Sequence, residues 1–311
     1  MLGAGLGMAG RWWQSEPVLT QADIDFDGQQ AFEYLETLCE LGPRPSGSAA
    51  MVRQQELISA HFLALGAEVE RQEFRTLHPV EKKPVPMCNL LIRFHPERHH
   101  RVLLATHYDT RPFPDRDREH RQGEFIGANG AASGTALLMA LGKRLGDLKG
   151  RYGVDLAFFD GEGFVFRKGN SELGQYSLGA EWFSQQEIVI SGTDQPVNYR
   201  WGVVVEMIGD QNLRIHQERH SLSWEDSKPL VNDLWSTAAQ LGVREFIAQP
   251  KYELRGDHVK LHQLGNIPCC LISDFDYGGR WQTVKDTPEA CSPLSLAKVG
   301  TVLFTWLQNL K

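Results

Sequence analysis

Apolar residues recur at helical spacing over Gln29 to Glu40, Ala50 to Leu65, Ala131 to Leu145, Ser177 to Gln185, Lys228 to Leu241 and Ser295 to Leu310. Between them lie six short apolar runs of strand length: Glu68 to Phe74, Asn89 to Phe94, Val102 to Thr106, Val154 to Phe159, Trp201 to Met207 and Ile267 to Ile272. Several of these runs are apolar at successive positions, which suits strands covered on both sides. The alternation of strand and helix predicts an α/β fold, a mixed, mostly parallel twisted sheet flanked by helices on both faces. Polar stretches at Asp115 to Glu124 and Arg167 to Gly174 read as long loops at strand ends, where open α/β sheets build their sites. No shift of composition and no fixed-period repeat marks a boundary. Residues 21–311 therefore read as one domain behind a flexible N-terminal segment, residues 1–20.

Composition narrows the function classes. With 41% hydrophobic and 23% charged residues in 311, the chain is ordinary globular material. A net charge of −7, and no basic run beyond Arg98-His99-His100-Arg101, leave no electrostatic footprint for a nucleic acid. Five cysteines (Cys39, Cys88, Cys269, Cys270 and Cys291) are an odd number without C-x-x-C spacing, so neither a disulfide framework nor a thiolate zinc site is expected. Cys269 and Cys270 read as core positions of a strand. The opening MLGAGLGMAG is too short to span a bilayer and carries no basic start, and no other stretch reaches membrane length. Location is open: cytoplasmic, or exported if the true start lies upstream.

Two predicted strands run into chemically loaded turns, Thr106-His107-Tyr108-Asp109 and Phe159-Asp160-Gly161-Glu162. On a strand, residues i and i+2 point the same way, so His107 and Asp109 are expected to share a face, where the carboxylate can orient the imidazole. Gly127-Ala128-Asn129-Gly130 fits neither nucleotide-binding fingerprint. Ser133 lacks the first glycine of a nucleophile elbow and reads as a helix-start residue. His258 and His262 stand one helical turn apart, but Val259 follows the first of them where a metalloprotease helix carries glutamate, so the pair reads as structural. His99, His100, His120, His216 and His220 lie in polar surroundings and read as solvent-facing.

In order, the blocks Leu41-Gly42-Pro43-Arg44-Pro45-Ser46-Gly47-Ser48, Thr106-His107-Tyr108-Asp109, Gly127 to Gly134, Phe159-Asp160-Gly161-Glu162, Glu206-Met207-Ile208-Gly209, Asp257-His258 and Trp281-Gln282-Thr283 resemble the glutaminyl cyclase and zinc aminopeptidase family from about Glu40 to the C-terminus. Trp281 leans the resemblance toward the cyclase branch. The resemblance implies a zinc-exopeptidase fold, action at peptide N-termini, and zinc at the C-terminal edge of the sheet. It also implies zinc ligands at three positions that here hold Gly130, Gly163 and Gln282, so no intact metal site is expected and zinc is expected to be weakly bound or not bound. His107 and Glu206 fall on further ligand positions and are the residual candidates. Glu162 matches the family's general base, Asp257 a carboxylate near the substrate amine, and Glu206 a third acid. These three are the remnant catalytic candidates, and Trp281, His107 and Asp109 the pocket candidates. The reading that follows is a non-catalytic relative that binds peptide N-termini or a protein partner. The alternatives are peptidase or glutaminyl-peptide cyclotransferase activity through an atypical site, and a purely structural domain.

Overall fold

The computed structural model of the protein describes residues 19–20, 24–168, 171–189, 192 and 195–310, so the N-terminal segment expected over residues 1–20 lies almost wholly outside the described residues. Six strands build the main sheet: β1 (Glu68–Leu77), β2 (Pro84–Phe94), β3 (His100–His107), β4 (Tyr152–Phe159), β7 (Asn198–Glu206) and β10 (Cys269–Ser273), in the order β1-β2-β4-β3-β7-β10. Four of them, β4, β3, β7 and β10, run parallel, and β2 and β1 close one side antiparallel. Each of the six apolar runs in the sequence became one of these strands. The hairpin β5 (Val165–Lys168) and β6 (Ser171–Gly174) corrects the expected loop at Arg167 to Gly174. β6 is exposed and polar and carries no apolar signal, while β5 buries Val165 and packs Phe166 against Phe164, too short an apolar run to read as a strand.

Side chains along the central strands alternate between two cores, as the pleat requires. Val102, Leu104, Val203 and Val205 face the larger core, against α1 (Gly28–Glu40), α2 (Ala49–Ala64), α3 (Ser133–Leu145), α6 (Lys228–Gln240) and α8 (Pro293–Asn309). Leu103, Ala105, Val204 and Leu271 face the other, against α4 (Leu178–Gln185) and α7 (Asp257–Gln263). A short α5 (Arg219–Ser223) and the pair β8 (Ile215–Gln217) and β9 (Phe246–Pro250) lie beside β10, with Ile215 and Phe246 in the larger core. Cys269 and Cys270 are fully buried in β10, one facing each core.

Two structural features fix the geometry below the site. The Arg101 guanidinium, buried between strands, is paired with Asp155, whose other oxygen accepts from Tyr199 Oη at 2.6 Å. Gly134, in the first turn of α3, has its Cα so close to the sheet that a Cβ would stand 2.5 Å from the Val205 carbonyl oxygen. Glycine there lets the helix start settle directly against β3 and β7.

Candidate functional site

The chain passes from β3 to β4 on one side and later to β7 on the other, so the C-terminal ends of these strands surround a topological switch point. The turns that follow them, with the loops before α7 and after β10, enclose a cavity of about 350 Å³. His107 is the last residue of β3 and Glu206 the last of β7, and both line the cavity with Asp109, Glu162, Gln282 and Trp281. Asp257, the first residue of α7, is 1% exposed just behind them, close enough to feel the charges of Glu162, His107 and Glu206. All six residues named from the sequence as site candidates thus converge.

Asp109 does a different job from the one expected. Because β3 ends at His107, Asp109 lies beyond the strand, and its two oxygens accept the backbone N–H groups of Glu162 and Gly163 at 3.0 and 3.2 Å. Its carboxylate is 3.7 Å from His107 Nδ1, which is nearer the Asp109 carbonyl oxygen, at 3.2 Å. The imidazole is therefore turned mainly by a backbone oxygen, and the carboxylate ties the β3 turn to the β4 turn. Asp160 is tied beneath them, accepting from Ser46 Oγ at 2.6 Å and Cys88 N at 3.0 Å. The Arg44 block near the N-terminus is thus a support: Arg44 is fully buried and pairs with Thr110 through both backbone and hydroxyl.

The floor of the cavity is acidic. Burial pushes the carboxyls of Glu162 and Asp257 above the usual carboxylate range, with Asp109 adding to the first and Glu162 and Glu206 to the second; Glu206 is pushed up to about 7 by burial and by Glu162 and Glu218. Burial opposes a charge on His107, but Asp109, Glu162 and Glu206 outweigh it and hold the imidazole protonated well above its usual range. His107 Nε2 is 3.9 Å from Glu206 Oε2. An incoming cation would draw these carboxyls back to the ionised form, so this end of the cavity suits a cation in spite of the His107 imidazolium.

The walls are mainly apolar, with the charged Arg111, Glu253 and Arg255 also lining the cavity. Phe125, Met207, Leu254, Phe275 and Trp281 supply the apolar lining, and Trp281 packs edge-on to Phe275 with ring centres 4.9 Å apart. Sequence reasoning missed Arg111 and Tyr176, which also line the cavity: the guanidinium donates to Asp115 Oδ2 at 2.7 Å and to the Tyr176 hydroxyl at 3.3 Å. The only sequence signal was their nearness to the motifs.

The three positions where the resemblance implies metal ligands have particular surroundings. Neither Gly130 nor Gly163 has positive φ, so the backbone does not require glycine at either. A Cβ on Gly130 would come within 2.9 Å of Asp286 Oδ2, and one on Gly163 within 2.8 Å of Arg111 Cγ. Asp286 is itself buried, accepting from Asn129 N, Gly130 N and the Tyr277 hydroxyl at 2.7 to 3.0 Å, and is pushed up to about 6 mainly by burial. It caps the π-turn Ala128–Ala132 that leads into α3. At the third position, Gln282 Oε1 accepts from Arg116 Nε at 3.2 Å. Among the described residues no group of three or more His, Cys, Asp or Glu side chains is placed to hold a metal ion.

The histidines outside the site separate cleanly. His258 faces Glu218 at 3.3 Å, while His262 faces Asp226 at 3.0 Å and stacks on Trp224, so the two share no ligand. His99, His100 and His120 are exposed. His216 corrects the expectation of a solvent-facing ring: it is 6% exposed and lies 3.2 Å from Asp276, because β8 turns it inward. His220 is partly buried and stacks on Trp224. Ser133 does open α3, and its hydroxyl also accepts from Ile208 N at 3.2 Å, joining the helix to the turn after β7.

A parallel-centred sheet with an acid and imidazole cluster at the C-terminal ends of β3, β4 and β7 defines a protein of the exopeptidase-type α/β class. Residues 89–307 match Peptidase family M28, and the chain belongs to that family. It is similar in structure to the glutaminyl cyclase of Fimbriiglobus ruber, at 31% identity over 94% of this chain and 100% of that one with a TM-score of 0.84. The glutaminyl cyclase of Porphyromonas gingivalis matches at 26% identity over 91% and 98% of the two chains, TM-score 0.82. A Zn-dependent exopeptidase from Parabacteroides distasonis matches at 26% identity over 92% and 99%, TM-score 0.83.

Proposed function

We propose that this family member is a non-catalytic relative whose pocket binds the amino terminus of a peptide or protein, with no resident zinc. The observation that carries the reading is the filling of the ligand positions. Glycine at 130 and 163 offers no donor atom, the space for a first side-chain atom at each is taken by Asp286 and Arg111, and the oxygen of Gln282 is turned to Arg116. The residues present do not fit a zinc ion: His107 and Glu206 alone fall short of the three protein ligands a catalytic zinc uses. An acidic floor under apolar walls suits an α-ammonium group with an apolar side chain beside it. A purely structural domain would have no use for an open cavity of this size, which disfavours that alternative.

A second reading, hydrolase or cyclase chemistry by the side chains alone, draws on Glu206, pushed up to about 7 and so suited to proton transfer near neutrality, and on Glu162, raised by burial. It must do without several kcal/mol of charge stabilisation that a metal supplies when bound. Activity that survives thorough chelation and disappears in Glu162→Ala would establish it.

The primary test combines two measurements on one preparation. Elemental analysis after dialysis against zinc is expected to find far less than one zinc per chain. Calorimetry is expected to show binding of a Gln-Phe-Ala tripeptide and none of its N-acetylated form. Near-stoichiometric zinc that is lost in His107→Ala, or equal binding of the acetylated peptide, overturns the proposal.

A further inference from the structure

Gln282 combines three observations. It lines the cavity, it holds φ +55°, a left-handed conformation uncommon for glutamine, and its amide is oriented by a neighbouring loop. Amide oxygen and nitrogen are assigned from hydrogen-bond partners, and arginine has only donors, so the atom 3.2 Å from Arg116 Nε is Oε1. That leaves Nε2, a two-proton donor, as the free end of a residue on the cavity wall. Among the described residues Nε2 makes no hydrogen bond.

The orientation is built in. Arg116 N donates to the Gln282 carbonyl oxygen at 3.2 Å, which holds the strained backbone, and the Arg116 guanidinium lies 3.9 Å from the centre of the Trp281 ring. The loop bearing Arg116 is pinned in turn by Asp117, whose Oδ2 accepts from Val284 N at 3.2 Å and whose Oδ1 accepts from Glu119 and His120 N. Two loops therefore lock each other with the amide between them. Strain kept at a cavity wall and held by several contacts is the pattern of a residue placed for a ligand.

We infer that Gln282 is a specificity-determining residue, positioned by Arg116, that donates from Nε2 to a carbonyl oxygen of the pocket ligand. The inference rests on the amine-binding reading above and extends it: the ligand carries an ammonium group toward the Glu162 and Glu206 end and an acceptor oxygen toward Gln282. An α-amino carbonyl unit has this chemistry, whether in an amino acid amide or in the first residue of a peptide. A simple amine has half of it.

The test compares phenylalaninamide with phenethylamine, which keeps the ammonium and the ring and drops the carboxamide, by calorimetry on wild type, Gln282→Leu, Gln282→Glu and Arg116→Met. Wild type is expected to prefer the amide. Gln282→Leu should reduce that preference by roughly tenfold, the upper part of the range for one neutral hydrogen bond. Phenethylamine should bind Gln282→Leu as it binds wild type, within about twofold. Gln282→Glu keeps the shape and the Arg116 contact but replaces donor by acceptor, so it must lose the preference as well. Arg116→Met should lose part of it, because the amide is then free to turn. Gln-Phe-Ala and free phenylalanine as further ligands tell a peptide source from an amino acid. If wild type binds both probes and the preference is unchanged in Gln282→Leu and Gln282→Glu, the Gln282 inference is wrong and the amine-binding reading stands. If wild type binds neither probe nor the tripeptide, both fall.

Discussion

Restoring the three ligand types in a triple variant, Gly130→Asp, Gly163→Glu and Gln282→His, tests the reading of the pocket from the opposite direction. Neither glycine is in a positive-φ conformation, so the new side chains meet no backbone penalty there, and histidine is among the residues that tolerate the φ of +55° at 282. The cost is steric. The new Cβ atoms would lie 2.9 Å from Asp286 Oδ2 and 2.8 Å from Arg111 Cγ, and neither neighbour can yield freely, since Asp286 caps three donors and Arg111 is held by Asp115 and Tyr176. Overpacking of this kind costs about 1–3 kcal/mol per site, so the metal-free variant should be destabilised by about 2–6 kcal/mol. At about 2–4 °C per kcal/mol, its Tm should fall by roughly 5–20 °C. Zinc at a thousand times its Kd would then return about 4 kcal/mol. Differential scanning calorimetry with and without zinc reads both quantities, and wild type should show no zinc response. The reasoning is refuted if metal-free triple variant melts with wild type, or if wild type itself gains stability from zinc and loses the gain in His107→Ala.

Asp155→Asn should cost about 3–5 kcal/mol in urea unfolding, because it leaves the buried Arg101 cation without its counter-charge; a loss under 1 kcal/mol would show that the pair is dispensable. Stability should also fall as pH rises. Asp160, Glu206, Asp274 and Asp286 have folded pKa values of about 8, 7, 7 and 6, all raised chiefly by burial above the unfolded value. The folded state therefore binds more protons, and the contribution of these groups is complete below about pH 4 and is lost as pH climbs through 6 to 8. Glu218 and Asp276, both near 2, act oppositely: burial disfavours their charge, but His258 and Lys251, respectively, outweigh it, and their contribution is lost only as pH falls from about 4 toward 2. Urea midpoints should thus decline between pH 5 and 9, and a flat profile would contradict the burial argument.

The six strands of the main sheet and the six longer helices could be read from the sequence, because burial on one or both faces leaves a period in the apolar positions. The hairpin of β5 and β6, the pair β8 and β9, and the short helices α5 and α7 could not: each of these elements has three to seven residues and buries at most one apolar side chain, such as Val165, Ile215, Phe246 or Leu261, too few to leave a period. At the site, the sequence by itself determined which chemical groups are present, including the glycines at 130 and 163 and the acids at 162, 206 and 257. It could not say what fills the space that a glycine leaves. Asp286 reaches Asn129 and Gly130 across more than 150 residues, Arg116 reaches Gln282 across a similar span, and the Arg111 stem lies against Gly163 from another strand's turn. Such contacts are set by the order in which strands pair, and only the tertiary structure decided them.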